Sequence, residues 1–120
     1  MPQHIGIDII EIDRIRKACN RWGETFLKRV FTPAELALYR TKYASLAVRF
    51  AAKEAVLKAL GACDAGISWQ DIEVVSEADG KPRVNLFGRA QLAARSLSIT
   101  DLNISLSHSR DYAVAFVVGS

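Results

Sequence analysis

The apolar positions change their period along the chain, and each change marks an element. Near the start the sequence runs Ile5-Gly6-Ile7-Asp8-Ile9-Ile10-Glu11-Ile12. Its β-branched density predicts a strand. Ile5, Ile7 and Ile9 share one face; Gly6, Asp8 and Ile10 share the other. Both faces are apolar except for Asp8, so the expectation is an interior strand with a carboxylate in its middle. The period then lengthens. Asp13 is placed to cap a helix running to about Arg21, with Ile15, Ala18, Cys19 and Trp22 on its inner side. Gly23 interrupts it, and Phe26 to Phe31 follows as a short segment. Thr32-Pro33-Ala34-Glu35 is a helix start, with Thr as N-cap, Pro at the first helical position and Glu set for a capping box. That helix carries Leu36, Leu38 and Tyr39 and fades near Tyr43. Ser45 is placed to cap the central helix, which Gly61 ends.

After a loop and a single turn at Ser68–Asp71, Ile72–Val75 predicts a strand. Asp79-Gly80 predicts a hairpin turn and Pro82–Leu86 the return strand. Arg89 to Leu97 has helical spacing, and Asn103–Ser107 and Tyr112–Val118 are strands joined by a tight polar turn. The expected class is α+β, a mainly antiparallel sheet packed with helices, in a single domain over residues 1–120.

The central helix carries the first candidate chemistry. Residues 49–61 read Arg-Phe-Ala-Ala-Lys-Glu-Ala-Val-Leu-Lys-Ala-Leu-Gly, rich in strong helix formers. Phe50, Glu54 and Lys58 recur at i, i+4 and i+8 and share one stripe. The plain reading is a solvated Glu54–Lys58 pair worth a few tenths of a kcal/mol. The alternative is that the carboxylate and the ammonium act on a ligand. Asp8 raises the same question, because a buried carboxylate needs donors, a cation or a metal ion. Gly6 beside it predicts a close approach to the backbone there.

Half of the residues are hydrophobic, enough for one ordinary core, and no apolar run reaches the length of a membrane span. With no basic-then-apolar leader, a soluble cytoplasmic protein is expected. Cys19 and Cys63 fit no metal or redox spacing and read as packing residues. The net charge of +3 is unevenly spread. The first sixty residues hold eleven Lys/Arg against six Asp/Glu, the last sixty five against seven. The excess is densest at Arg14, Arg16, Lys17, Arg21, Lys28 and Arg29, which predicts an acidic partner. No dinucleotide fingerprint or Walker motif is present. Of the two histidines, His108 is flanked by Ser105, Ser107 and Ser109 in a polar turn. It reads either as a plain turn residue or as part of a phosphate-holding turn.

In order along the chain, Gly6-Ile7-Asp8-Ile9, the 49–61 helix with its Phe-x-x-Lys-Glu-Ala-x-x-Lys-Ala-x-Gly pattern, Trp69-Gln70-Asp71-Ile72-Glu73, Gly80-Lys81-Pro82, and Ser105-Leu106-Ser107-His108 with Tyr112-Ala113 resemble the holo-[acyl-carrier-protein] synthases. These are short 4′-phosphopantetheinyl transferases. The resemblance implies transfer of 4′-phosphopantetheine from coenzyme A to a serine of apo acyl carrier protein, releasing adenosine 3′,5′-bisphosphate, for fatty acid or polyketide synthesis. It implies magnesium held by Asp8 and Glu54, with Lys58 meeting the diphosphate. Arg49, Phe50, Lys58, Gly61, Ser107 and His108 match positions lining the coenzyme A site. The first helix and its sequel, with Arg14, Lys17, Arg21, Phe26 and Lys28, match the carrier-docking surface. The resemblance further implies a homotrimer with active sites between subunits, acting on neither nucleic acid nor membrane. Where relatives often have Gly-Thr-Gly, this chain has Gly61-Ala62-Cys63, which alters the loop near the diphosphate. Glu54 is the candidate for taking the serine proton. The competing reading is a basic binding module without chemistry. Asp8 and Glu54 distinguish the two, because paired carboxylates would repel a phosphate ligand unless a metal lay between them.

Overall fold

The computed structural model describes residues 3–61 and 66–120. Strand β1 (His4–Glu11) leads into helices α1 (Ile12–Trp22), α2 (Glu24–Val30), α3 (Pro33–Tyr39) and the long α4 (Tyr43–Leu60). A 3₁₀ turn at Trp69–Asp71 precedes the hairpin β2 (Ile72–Ser76) and β3 (Pro82–Leu86). Helix α5 (Gly88–Ser96), β4 (Leu102–His108) and β5 (Tyr112–Gly119) complete the order. All strand pairs are antiparallel, in a three-stranded sheet β1-β5-β4 and a two-stranded sheet β2-β3. The expected α+β class is the one observed.

Helix α4 lies across the inner face of the larger sheet, and small residues let it close in. Ala47, Ala51, Ala52 and Ala55 of α4 are buried, as are Ala113 and Ala115 of β5. The closest approach is at Gly6, where an added Cβ would lie 1.8 Å from the Ala55 carbonyl oxygen. The close approach expected there is to this helix. Phe31, Leu46, Val56, Ile72 and Val74 fill the rest of the core.

Several boundaries differ from expectation. Thr32 caps α3 with the full capping box, but Asp13 is not an N-cap. Helix α1 begins two residues earlier, with Glu11 at its N-cap, and Asp13 sits in the first turn paired to Arg16 and to Lys17. A carboxylate with two cations one turn ahead is held by them rather than by backbone N–H groups. Ser45 lies inside α4, whose N-cap position is Lys42. Trp22, expected on the inner side of α1, is 56% exposed. Gly23 turns the chain there at φ 56°, and the Arg21 guanidinium lies 4.7 Å from the Trp22 ring centre.

The largest correction concerns β1. It is an edge strand of the sheet, and Ile5, Ile7 and Ile9 are all more than half exposed. Register places Ile7 opposite Phe116 and Ile9 opposite Val114. An apolar strip across two strands therefore faces outward. β-branched density reports an apolar setting on both faces, but not whether one chain supplies it.

Candidate active site

Asp8, Glu54 and Lys58 converge at the contact of β1 with α4. Alternation turns the Asp8 side chain to the same face as Gly6 and Ile10, toward the helix. The Asp8 side chain keeps 19% of its exposure, and Lys58 Nζ donates to its Oδ1 at 3.1 Å and to the Ile7 carbonyl at 3.0 Å. The plain reading of a Glu54–Lys58 pair is thus replaced, since Lys58 reaches across to the strand. Glu54 is half-buried and has no ion-pair partner among the described residues. Burial first, then the Asp8 carboxylate, push the Glu54 carboxyl above its usual range, and Lys58 pulls part of the way back. Two carboxylates near enough to repel, with one ammonium beside them, form a site that favours added positive charge.

That donor set suits a hard divalent cation only in part. Among the described residues no group of three His, Cys, Asp or Glu side chains could hold a metal. Magnesium takes one or two protein carboxylates when phosphates and water complete its shell. Asp8 and Glu54 match that case and not an all-protein cage.

A second cluster lies along β4, the opposite edge of the sheet. A cleft of about 330 Å³ is lined by Ser45 and Arg49 of α4, Ser76, Gly80 and Pro82 of the β2–β3 hairpin, and Ile104 to His108. Arg49 is buried, and its guanidinium lies 3.6 Å from the Tyr39 ring centre. It donates to Ser76 Oγ at 3.2 Å and to the Ser45 carbonyl at 3.4 Å. Its Nε is buried with no acceptor. A buried N–H without a partner is costly and fits a site awaiting an anionic acceptor. Ser107 and His108 border the same cleft, while the turn beyond them closes with Ser109 N–H donating to the Tyr112 carbonyl at 2.8 Å.

The structure therefore sorts the expected residues into two groups. Asp8, Glu54 and Lys58 stand at the β1 edge, and Arg49, Ser107 and His108 at the β4 edge. Phe50 joins neither cleft wall; it stacks on Trp69 with ring centres 5.1 Å apart. Gly61 ends α4 in the left-handed conformation, and Ala62 and Cys63 lie outside the described residues. Arg14, Lys17, Arg21 and Lys28 are exposed, and Phe26 is half-buried edge-on to Phe31. Cys19 is a free, half-buried thiol whose pKa burial raises.

One buried pair escaped the sequence reading. Lys53 and Glu35 are fully enclosed and 2.8 Å apart. The signal was present: Leu46, Arg49, Lys53, Val56 and Leu60 follow a helical core stripe, and an ammonium on it demands a buried acceptor.

A family model described as the 4′-phosphopantetheinyl transferase superfamily matches residues 4–117. The chain belongs to that superfamily. Within it, the chain is 52% identical to the holo-[acyl-carrier-protein] synthase of Dehalococcoides mccartyi strain ATCC BAA-2266, over 96% of each chain. It is 50% identical to that of Herpetosiphon aurantiacus, over 95% of each. The fold superposes on the Helicobacter pylori holo-[acyl-carrier-protein] synthase in complex with coenzyme A with a TM-score of 0.83 and 37% identity, covering 97% of this chain and 99% of that one.

Proposed function

We propose that this transferase moves 4′-phosphopantetheine from coenzyme A to a serine of apo acyl carrier protein, with Asp8 and Glu54 holding magnesium. The convergence of Asp8, Glu54 and Lys58 from a strand and a distant helix carries the reading. The serine oxygen attacks the phosphorus next to the pantetheine. A new O–P bond forms as the diphosphate bridge breaks, and adenosine 3′,5′-bisphosphate leaves. Glu54, beside Asp8 and Lys58, is the carboxylate placed to take the serine proton, directly or through a water. Lys58 moves from Asp8 to the diphosphate and offsets its charge. Bound magnesium supplies further neutralisation of the phosphate oxygens.

Arg49, Ser107 and His108 receive the nucleotide end of coenzyme A. The two half-sites lie on opposite edges of a three-stranded sheet, about 9–10 Å apart by strand spacing alone. One copy's β1 edge and another's β4 edge would together frame one cofactor. The outward strip of Ile5, Ile7, Ile9 and Phe116 supports such self-association, and a homotrimer is the assembly proposed. The exposed basic side chains of α1 and Lys28 form the carrier-docking face. No helix among the described residues is long and apolar enough to cross a membrane, and we propose the cytoplasm as the compartment.

Incubation with coenzyme A, magnesium and apo carrier protein should add one phosphopantetheine to the carrier by mass. Removal of magnesium by chelation should abolish the gain. No gain across several unrelated carriers would refute the reading. Glu54→Gln should keep the fold and lower turnover by a factor on the order of a hundred or more; near-normal turnover would remove Glu54 from the chemistry.

A further inference from the structure

The enclosed pair Lys53–Glu35 has no task in the reaction described above, yet it adjoins the reacting carboxylate in sequence. Lys53 Nζ donates to Glu35 Oε1 at 2.8 Å, to the Trp69 carbonyl at 3.1 Å and to the Ile72 carbonyl. Its three N–H donors are thereby used up. Glu35 accepts in turn from Thr32 N–H at 2.9 Å and Val74 N–H at 2.8 Å. One side chain of α4 is thus tied to α3, to the 3₁₀ turn and to β2.

These ties resist rotation of α4 about its own axis. Neighbouring helix residues differ by about 100° around that axis, so any turn of α4 that shifts Lys53 also shifts Glu54 relative to Asp8. Gly6 against the Ala55 carbonyl sets how close the helix lies. Stability alone is a poor account of the pair, because well-packed apolar residues often serve as well as a buried ion pair.

We propose that Lys53 is a positioning residue for the reacting carboxylates: held by Glu35 and the carbonyls of Trp69 and Ile72, it turns α4 so that Glu54 faces Asp8. This rests on the reading of Asp8 and Glu54 as ligands of a divalent ion. The test combines Lys53→Met with Glu35→Gln, which removes both charges at similar volume. Thermal midpoint, Mn²⁺ binding by calorimetry with coenzyme A and no carrier, and kcat and KM are compared with wild type. The expected result is a midpoint within a few degrees of wild type, Mn²⁺ affinity about tenfold weaker, kcat lower by at least that factor, and KM for the carrier unchanged. A double variant with wild-type midpoint, Mn²⁺ affinity and kcat overturns the proposal. Should the double variant not fold, Glu35→Asp keeps both charges and draws the carboxylate back from Lys53. It should bind Mn²⁺ several-fold more weakly, and unchanged affinity there overturns the proposal equally. A wild-type chain that binds no Mn²⁺ refutes the metal reading and this proposal with it. Wild-type binding with unaltered variants refutes the role of Lys53 alone.

Discussion

At Glu54 burial and a neighbouring carboxylate act on one side chain. Burial and Asp8 raise its pKa above the ordinary 4.5. The folded chain therefore binds that proton more tightly than the unfolded chain does. The stability this contributes is complete below the unfolded pKa and is lost as pH rises through the folded one. Without metal, the thermal midpoint should carry a decrement as pH climbs above 4.5, and Glu54→Gln should remove it; identical pH profiles for the two proteins would contradict the assignment. A divalent ion needs the ionised carboxylate, so its affinity should fall on acidification sooner than an ordinary glutamate allows. Gly6 is the steric counterpart. Gly6→Ala drives a methyl group into the Ala55 carbonyl, where the obstacle is backbone and cannot turn aside. Denaturant unfolding should show a loss of about 1–3 kcal/mol or more, with weaker Mn²⁺ binding as α4 lifts from β1.

At the scale of elements, α1 carries exposed basic side chains and α4 carries Glu54 and Lys58. Helix α1 presents charge to solvent, but not all of it is free. Asp13 holds Arg16 and Lys17, whereas Arg14 faces solvent and Arg21 lies over Trp22. Exposed charges of this kind act mainly on encounter rate and are screened by salt. Arg14→Glu combined with Arg21→Glu should raise KM for the carrier severalfold, more at low salt than at high. Coenzyme A affinity measured by calorimetry should not move; if it falls, the docking face has been misplaced. Helix α4 presents almost nothing to solvent except the Glu54 and Lys58 side. Its small residues let it approach the sheet, and its two buried cations, Arg49 and Lys53, are each tied to neighbouring elements.

At the scale of the whole molecule, a single chain leaves two things unfinished. Its sheet turns an isoleucine row toward solvent, and the Asp8 and Arg49 groups stand on opposite edges. One association resolves both if neighbouring copies cover the strip and bring unlike edges together. Ile7→Glu with Phe116→Glu places charges at a directly opposed pair on that strip. Light scattering should then report monomers, and turnover should collapse although Asp8 and Glu54 are untouched. A variant that remains assembled, or a monomer with full turnover, would refute the shared site.

Local chemistry was legible from the sequence. Thr32 and Glu35 announced a capping box, the β-branched density around Ile7 announced a strand, and the spacing of Phe50, Glu54 and Lys58 announced a common stripe. The resemblance at Asp8, Glu54 and Lys58 singled out three residues that the fold brings together. These are properties of neighbours in the chain, or of motifs with fixed spacing. Which face of β1 stays open, which acid Lys58 holds and where Lys53 finds its acceptor depend on contacts between residues far apart in sequence. Such contacts are settled by how α4 crosses the sheet, and no local pattern encodes that crossing. The tertiary structure alone therefore decided that Lys58 pairs with Asp8, that Glu35 both caps a helix and neutralises a buried lysine, and that Asp8 and the Arg49 cleft lie at opposite edges of the sheet.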